Sequence, residues 1–320
     1  MRVNKTKFLA FCMAPLFFSF SYVLLNAYIG GDQIHYHSFY EALVGAQTDE
    51  VMILARNHVS SNEPLSAWIM WVGANLNIDK NVYISLLNLF LLIGLLLLLR
   101  QYKTPQYIIG MVLSNFYVIV LMTGAERLKI AYIFLVYAAL IPGKWGTFVA
   151  LLYPFAHLQS LIFLISIFLA RFSKVFERMI LRARLSKRNL PVIVGFSLLG
   201  GTILIYLWDA VLFKSTGYME EFGGLRETVQ TVLLLVIASL VTKDRFKIFL
   251  SLSPLIVASF LLGGLRVNMI AVTVVFYIWL TDKNLSHPFV FWLLIYFTLK
   301  SIPFIYNIFQ YGNGFGGFLF

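Results

Sequence analysis

Charge is scarce in this chain: only 12% of its 320 residues are Asp, Glu, Lys or Arg, about half the share carried by a soluble domain. Cysteine is scarcer still. Cys12 stands alone in the first apolar stretch, which excludes an intrachain disulfide and any cysteine-based metal cluster. Acidic residues number 14 against 25 basic ones, and none of the 14 falls inside an apolar run, which argues against an ion-coupled transporter built around an intramembrane carboxylate. The chain also lacks Asp-x-Asp, a glycine-rich phosphate loop and His-Glu-x-x-His. Nucleotide-driven and metal-driven chemistry are disfavoured, and neither a cofactor nor a metal is expected.

What fills the chain instead is apolar: 60% of its residues are hydrophobic and 17% are aromatic. A membrane-crossing helix needs about 20 mostly apolar residues. Such stretches recur at 8–26, 80–99, 107–123, 128–141, 191–208, 228–242, 247–262, 267–280 and 289–305. The expectation is an all-α polytopic bundle forming one transmembrane domain over 1–320, with about ten or eleven crossings. The basic start Met1-Arg2-Val3-Asn4-Lys5-Thr6-Lys7 precedes a long run without a small-x-small cleavage site, so it reads as an uncleaved anchor.

The net charge of +11 follows from topology and does not call for nucleic acid. With a cytoplasmic N-terminus, the opposite face receives only Arg56, Lys80, Arg127, Lys129, Lys214, Arg226, Arg266 and Lys300 of the 25 basic residues, as the positive-inside rule requires. The basic segment 171–190 is then a cytoplasmic loop, and 27–79 and 209–227 are outer segments. Within 27–79, Ile34, Tyr36, Phe39, Tyr40, Leu43 and Val44 recur mostly at helical spacing, predicting a helix lying on the membrane or on other helices. A short apolar piece, Leu65 to Leu76, follows Asn62-Glu63-Pro64, with Asn62 as the expected N-cap and Pro64 in the first turn. Residues 145–170 are too few for two crossings, and Pro154 should break them into two short helices meeting near His157.

The chemistry is expected where arginines and histidines interrupt this apolar background. Gly124-Ala125-Glu126-Arg127 and Gly263-Gly264-Leu265-Arg266 are alike: each turns at glycine and begins an inward helix with an arginine. Free N–H groups at a helix start favour an anion, and a guanidinium adds forked donors suited to phosphate. The alternative is ordinary snorkelling to the headgroups. Arg226 beside Glu227 is a third candidate, with capping as its plainer role. His157 serves as a base, a phosphate ligand or a packed histidine. Asp32, after Gly30-Gly31, is an N-cap, a catalytic carboxylate, or both.

Taken together, Gly31-Asp32 with Tyr36 and Phe39-Tyr40, then Asn62-Glu63-Pro64-Leu65, Arg127, His157 with Gln159-Ser160, and Arg266-x-Asn268 form a pattern. It resembles the EpsG-like and Wzy-type polysaccharide polymerases, membrane enzymes of bacterial envelopes. The paired basic motifs that some members carry in two large periplasmic loops have no counterpart here. The resemblance implies a GT-C-like fold with re-entrant or interfacial helices, a location in the bacterial inner membrane, and glycosyl transfer at the periplasmic face. Donor and acceptor would both be undecaprenyl-diphosphate-linked glycans, with membrane lipids and a chain-length regulator as further partners. In that frame Arg127 and Arg266 stabilise the leaving diphosphate, and Asp32 or His157 activates the acceptor hydroxyl, with Glu63 and Glu126 behind them. Arg226, Lys129, Gln159, Asn268, Tyr36 and Tyr40 would line the substrate. A flippase of lipid-linked sugars and an O-antigen ligase are the alternative readings.

Overall fold

The computed structural model describes residues 5–182, 190–206 and 225–316, and among these the secondary structure is helical throughout. The expected outer segment 209–227 lies outside the described residues, save for the first turn of the helix that begins at Leu225. The chain divides into two compact units.

The first unit comprises 1–158 and 290–320. In it α1 (Lys5–Ala27) packs along α5 (Lys80–Gln101), and α5 packs along α8 (Glu126–Leu140), which lies against α9 (Lys144–Ala156). Polar side chains join these apolar helices at depth. Ser21 donates to Ser85 at 3.2 Å, and Asn88 donates to Ser21 at 2.7 Å and to the Met122 carbonyl at 2.9 Å. Between α1 and α5 run three short helices, α2 (Asp32–Ala42), α3 (Val51–Val59) and α4 (Pro64–Asn75). The helix expected from the Ile34–Val44 periodicity is therefore α2. Its N-cap is Gly31 at φ 56, a conformation suited to glycine, so Asp32 is the first helical residue and not the cap. Pro64 opens α4 as expected, but the cap position is Glu63 and makes no side-chain cap bond. Asn62 instead accepts from Arg56 at 2.8 Å.

The apolar run 107–123 is two helices, α6 (Gln106–Leu113) and α7 (Phe116–Thr123), bent by 44°. Asn115 causes the break by accepting from the Tyr117 N–H at 2.8 Å, which starts a new helix in mid-run. Pro154, expected to break 145–170, sits in the last turn of α9, and the chain leaves the helix at His157 in extended conformation. The next helix, α10 (Ser160–Arg182), runs 23 residues and carries much of the basic segment 171–190 in helical form.

The second unit spans Gln159–Phe289. It holds α10, α11 (Leu190–Tyr206), α12 (Leu225–Val241), α13 (Arg245–Leu262) and α14 (Gly264–Thr281). α13 contacts α10, α12 and α14. Asn268 ties α14 to α12, accepting from Thr231 at 2.6 Å and donating to Gln230 at 3.1 Å. At the other end Lys247 pairs with Asp282 at 2.9 Å.

Among the described residues four helices are long and apolar enough to cross a membrane, or five if the bent α6–α7 pair is one crossing. The last of them, α15 (Pro288–Tyr311), exposes Phe289, Trp292, Tyr296, Leu299, Ile302, Tyr306 and Phe309 along one stripe. A continuous apolar stripe of that length is at home against lipid. The other stretches expected to cross, such as α8 with 15 residues and α12 with 17, fall short of the roughly 20 residues a full crossing takes.

Candidate functional site: a buried charge cluster in the first unit

α7 is buried along its whole length, and that creates a demand. The last carbonyls of any helix lack intrahelical donors, and here Met122 and Thr123 are fully buried. Side chains meet the need: Asn88 and Lys129 both donate to the Met122 carbonyl, Lys129 at 3.0 Å, and Gln33 donates to the Thr123 carbonyl. Lys129 is fully buried for this purpose, and Glu126, one turn earlier on α8, neutralises it at 2.6 Å. Gln33 also donates to Glu126 at 2.7 Å, and Lys80 donates to Gln33.

A second ion pair is centred on Glu63. Its Oε2 accepts from Arg127 Nη1 at 2.6 Å and from the Ser61 hydroxyl. Its Oε1 accepts from the Leu158 N–H at 3.4 Å and faces His157 Nδ1 at 3.5 Å. Arg127 Nε donates to the Tyr36 hydroxyl at 3.1 Å. The residues reach this point from four places: α2, the turn before α4, the first turn of α8, and the extended break after α9. Glu63 and His157 are 4% and 3% exposed, whereas the Arg127 side chain keeps 12%. Burial makes each partner depend on the other, because removing one leaves the other charge uncompensated.

Beside Glu126 and Arg127 lies a cavity of about 10 Å³, lined further by Tyr36, Phe39, Ser61 and Met70 among others and mostly apolar. That is the room one water molecule needs. The guanidinium has five N–H donors, of which two are spent on Tyr36 and Glu63.

Sequence reasoning named Tyr36, Glu63, Arg127 and His157, and the fold brings these together. Lys129 and Glu126 were also named, and both are fully buried beside the end of α7. Lys80 is likewise buried. Gln33 and Ser61 were missed. A polar residue beside the Gly30-Gly31 turn was the available signal for Gln33, whereas nothing local marks Ser61.

Other candidates serve elsewhere. Asp32 is half-buried at the start of α2, where burial and then the Asp32 charge push the Tyr28 phenol up to about 12. Tyr40 donates to the Ile78 carbonyl at 3.0 Å and packs on Tyr83. Arg266 is half-buried in the first turn of α14, in the second unit, as the repeated glycine–arginine turn predicted. Asn268 is taken up by Thr231 and Gln230. Gln159 lies in the turn before α10, where its carbonyl accepts from Ile162 at 3.2 Å. The Arg226 side chain lies outside the described residues. Among those residues no three His, Cys, Asp or Glu side chains gather as a metal site.

No family model, curated protein or solved structure matches the chain.

Proposed function

We propose that the chain is a membrane glycosyltransferase of the polysaccharide-polymerase kind, acting on polyprenyl-diphosphate-linked oligosaccharides at the periplasmic face of the bacterial inner membrane. The observation that carries this reading is the buried Glu63 carboxylate, held by Arg127 and faced by His157, with Arg127 also lining a small, mostly apolar cavity. A carboxylate kept ionised by a guanidinium can accept the proton of an acceptor hydroxyl. The hydroxyl oxygen then bonds to the anomeric carbon of the donor sugar, and the bond from that carbon to the diphosphate oxygen breaks. The diphosphate departs as an anion, the proton rests on Glu63, and His157 is placed to relay it onward.

Glu63 thus takes the role of base ahead of Asp32 and His157. Arg127, with donors to spare, is suited to the developing negative charge on the leaving group, and Arg266 is the second candidate for that task. In this reading the sugars bind outside the cluster and only the reacting hydroxyl approaches the Glu63 carboxylate.

Complementation of a polymerase-deficient host tests the proposal. Glu63→Gln and Arg127→Ala should insert in the membrane and yield single repeat units in place of the long-chain ladder, with Arg266→Ala impaired likewise. Unchanged ladders in both Glu63→Gln and Arg127→Ala would overturn the site. Repeat units stranded on the cytoplasmic side would indicate a flippase, and transfer of finished glycan to a lipid A core in a reconstituted assay would indicate a ligase.

A further inference from the structure

In the second unit α10 packs along α13, and charged residues join them at the start of α13. Lys174 of α10 pairs with Asp244 at 3.3 Å, and Asp244 also caps α13 by accepting from the Lys247 N–H at 3.0 Å. Lys247 in turn donates to both carboxylate oxygens of Asp282, the cap at the end of α14, at 2.9 Å. Buried Trp279 of α14 donates to the Thr242 hydroxyl, just past α12, at 3.2 Å. α13 is one of the helices long and apolar enough to cross a membrane. Its first turn therefore belongs at the level of lipid headgroups, and these contacts fix α10, α12 and α14 around it there.

Both aspartates are used up in this way, and cations are left over. Arg171 and Arg178 stand three and four residues from Lys174, on the same face of α10, and both are exposed. Lys243 and Arg245 flank Asp244 and are exposed, as is Lys283 after Asp282. Among the described residues none of these five makes an ion pair. Glu177, the remaining acid at this end, can offset one of them at most. Like charges three and four apart on a helix repel, so the row on α10 carries a cost that a bound anion reverses. Arg178 spends its Nε on the Lys174 carbonyl at 3.0 Å, which leaves both terminal guanidinium nitrogens for an anion. Apolar surface accompanies the charge. Phe249, one turn beyond Arg245, is 55% exposed, and Ile180, turned away from the charged row of α10, is 65% exposed. Cations beside exposed apolar side chains suit an amphiphile better than a soluble anion.

We infer that this end of the second unit binds an anionic phospholipid. Its phosphate is held by the guanidinium groups of Arg178 and Arg245, whose forked donors match phosphate oxygens, and Arg171 and Lys243 add charge. Its acyl chains lie along α13 from Phe249 onward. A zwitterionic lipid brings its own cation to the same surface and gains less from it. The site is independent of glycosyl transfer, in which none of these residues has a part.

Thermal unfolding of the full-length protein in a neutral detergent tests it. Phosphatidylglycerol at a concentration of about 100 times its Kd should raise the melting temperature by about 5 °C, and phosphatidylcholine should not. Arg178→Gln combined with Arg245→Gln should keep the melting temperature of the lipid-free protein, because both side chains are exposed, and lose the rise. An equal rise with the two lipids would overturn the inference, as would a rise that persists in the double variant. The same rise with inorganic phosphate would overturn it in favour of a site for free phosphate. Should the double variant fail to fold, native mass spectrometry of the unaltered protein, taken from an equal mixture of the two lipids, decides. Phosphatidylglycerol should then be the lipid retained, and equal retention of both overturns the assignment.

Discussion

Glu63 is the residue on which most of the cluster depends. It is 4% exposed and receives Arg127, Ser61 and the Leu158 N–H while facing His157. Removing one partner of a buried pair leaves the other charge uncompensated, at a cost of about 3–5 kcal/mol. Glu63→Gln should therefore lower thermal stability in detergent as well as abolish glycan extension. Glu63→Asp separates the two effects: it keeps the charge, so stability should recover more than activity does. The same reasoning applies to Lys129→Met, which would strand Glu126 and leave the Met122 carbonyl with one donor fewer. That variant should lose about 3–5 kcal/mol, read as a lower melting temperature, whereas Lys129→Arg should lose less.

At the scale of the element, breaks in apolar runs position the site. The 44° bend between α6 and α7 brings the carbonyl end of α7 into the interior, where Gln33, Asn88 and Lys129 meet it. Asn115→Ala should cost about 1 kcal/mol through loss of the α7 cap, a fall in melting temperature that Asn115→Asp largely avoids. Gly73 on α4 matters for a different reason. A Cβ there would sit 2.5 Å from the Tyr83 ring and 2.6 Å from the Tyr40 hydroxyl. Both tyrosines are tied down by hydrogen bonds, Tyr40 to the Ile78 carbonyl at 3.0 Å and Tyr83 to the Ile69 carbonyl at 2.8 Å. Gly73→Ala should thus destabilise the protein by about 1–3 kcal/mol as overpacking, and Gly73→Ala combined with Tyr83→Phe should not restore it, because the ring remains.

For the whole molecule, the distribution of basic residues makes a topological prediction. Cys12 is the only cysteine, so Cys12→Ser supplies a background free of thiols. In that background, cysteine placed at Asn77, in the turn after α4, should react in intact cells with a membrane-impermeant maleimide. Cysteine at Lys243, between α12 and α13, should react only after the cells are opened. The reverse pattern would place the N-terminus outside and move the Glu63 cluster to the cytoplasmic face.

The sequence by itself determined that this is an all-helical chain rich in apolar helices, and it marked the glycine–arginine turns, the break at His157 and the proline start of α4. Those properties are local: hydropathy over a window, the φ preference of Gly31, and the missing N–H of Pro64 act on neighbouring residues. Only the tertiary structure decided which polar residues meet. Glu63 and Arg127 are 64 positions apart, and Gln33 and Glu126 are 93 apart, so no window contains either pair. The burial of Lys80 and Lys129 inside the protein likewise depends on what packs around them, which a count of charges per membrane face does not contain. A buried helix end needs donors, and whether a helix end is buried depends on what packs around it, which no stretch of the chain specifies alone.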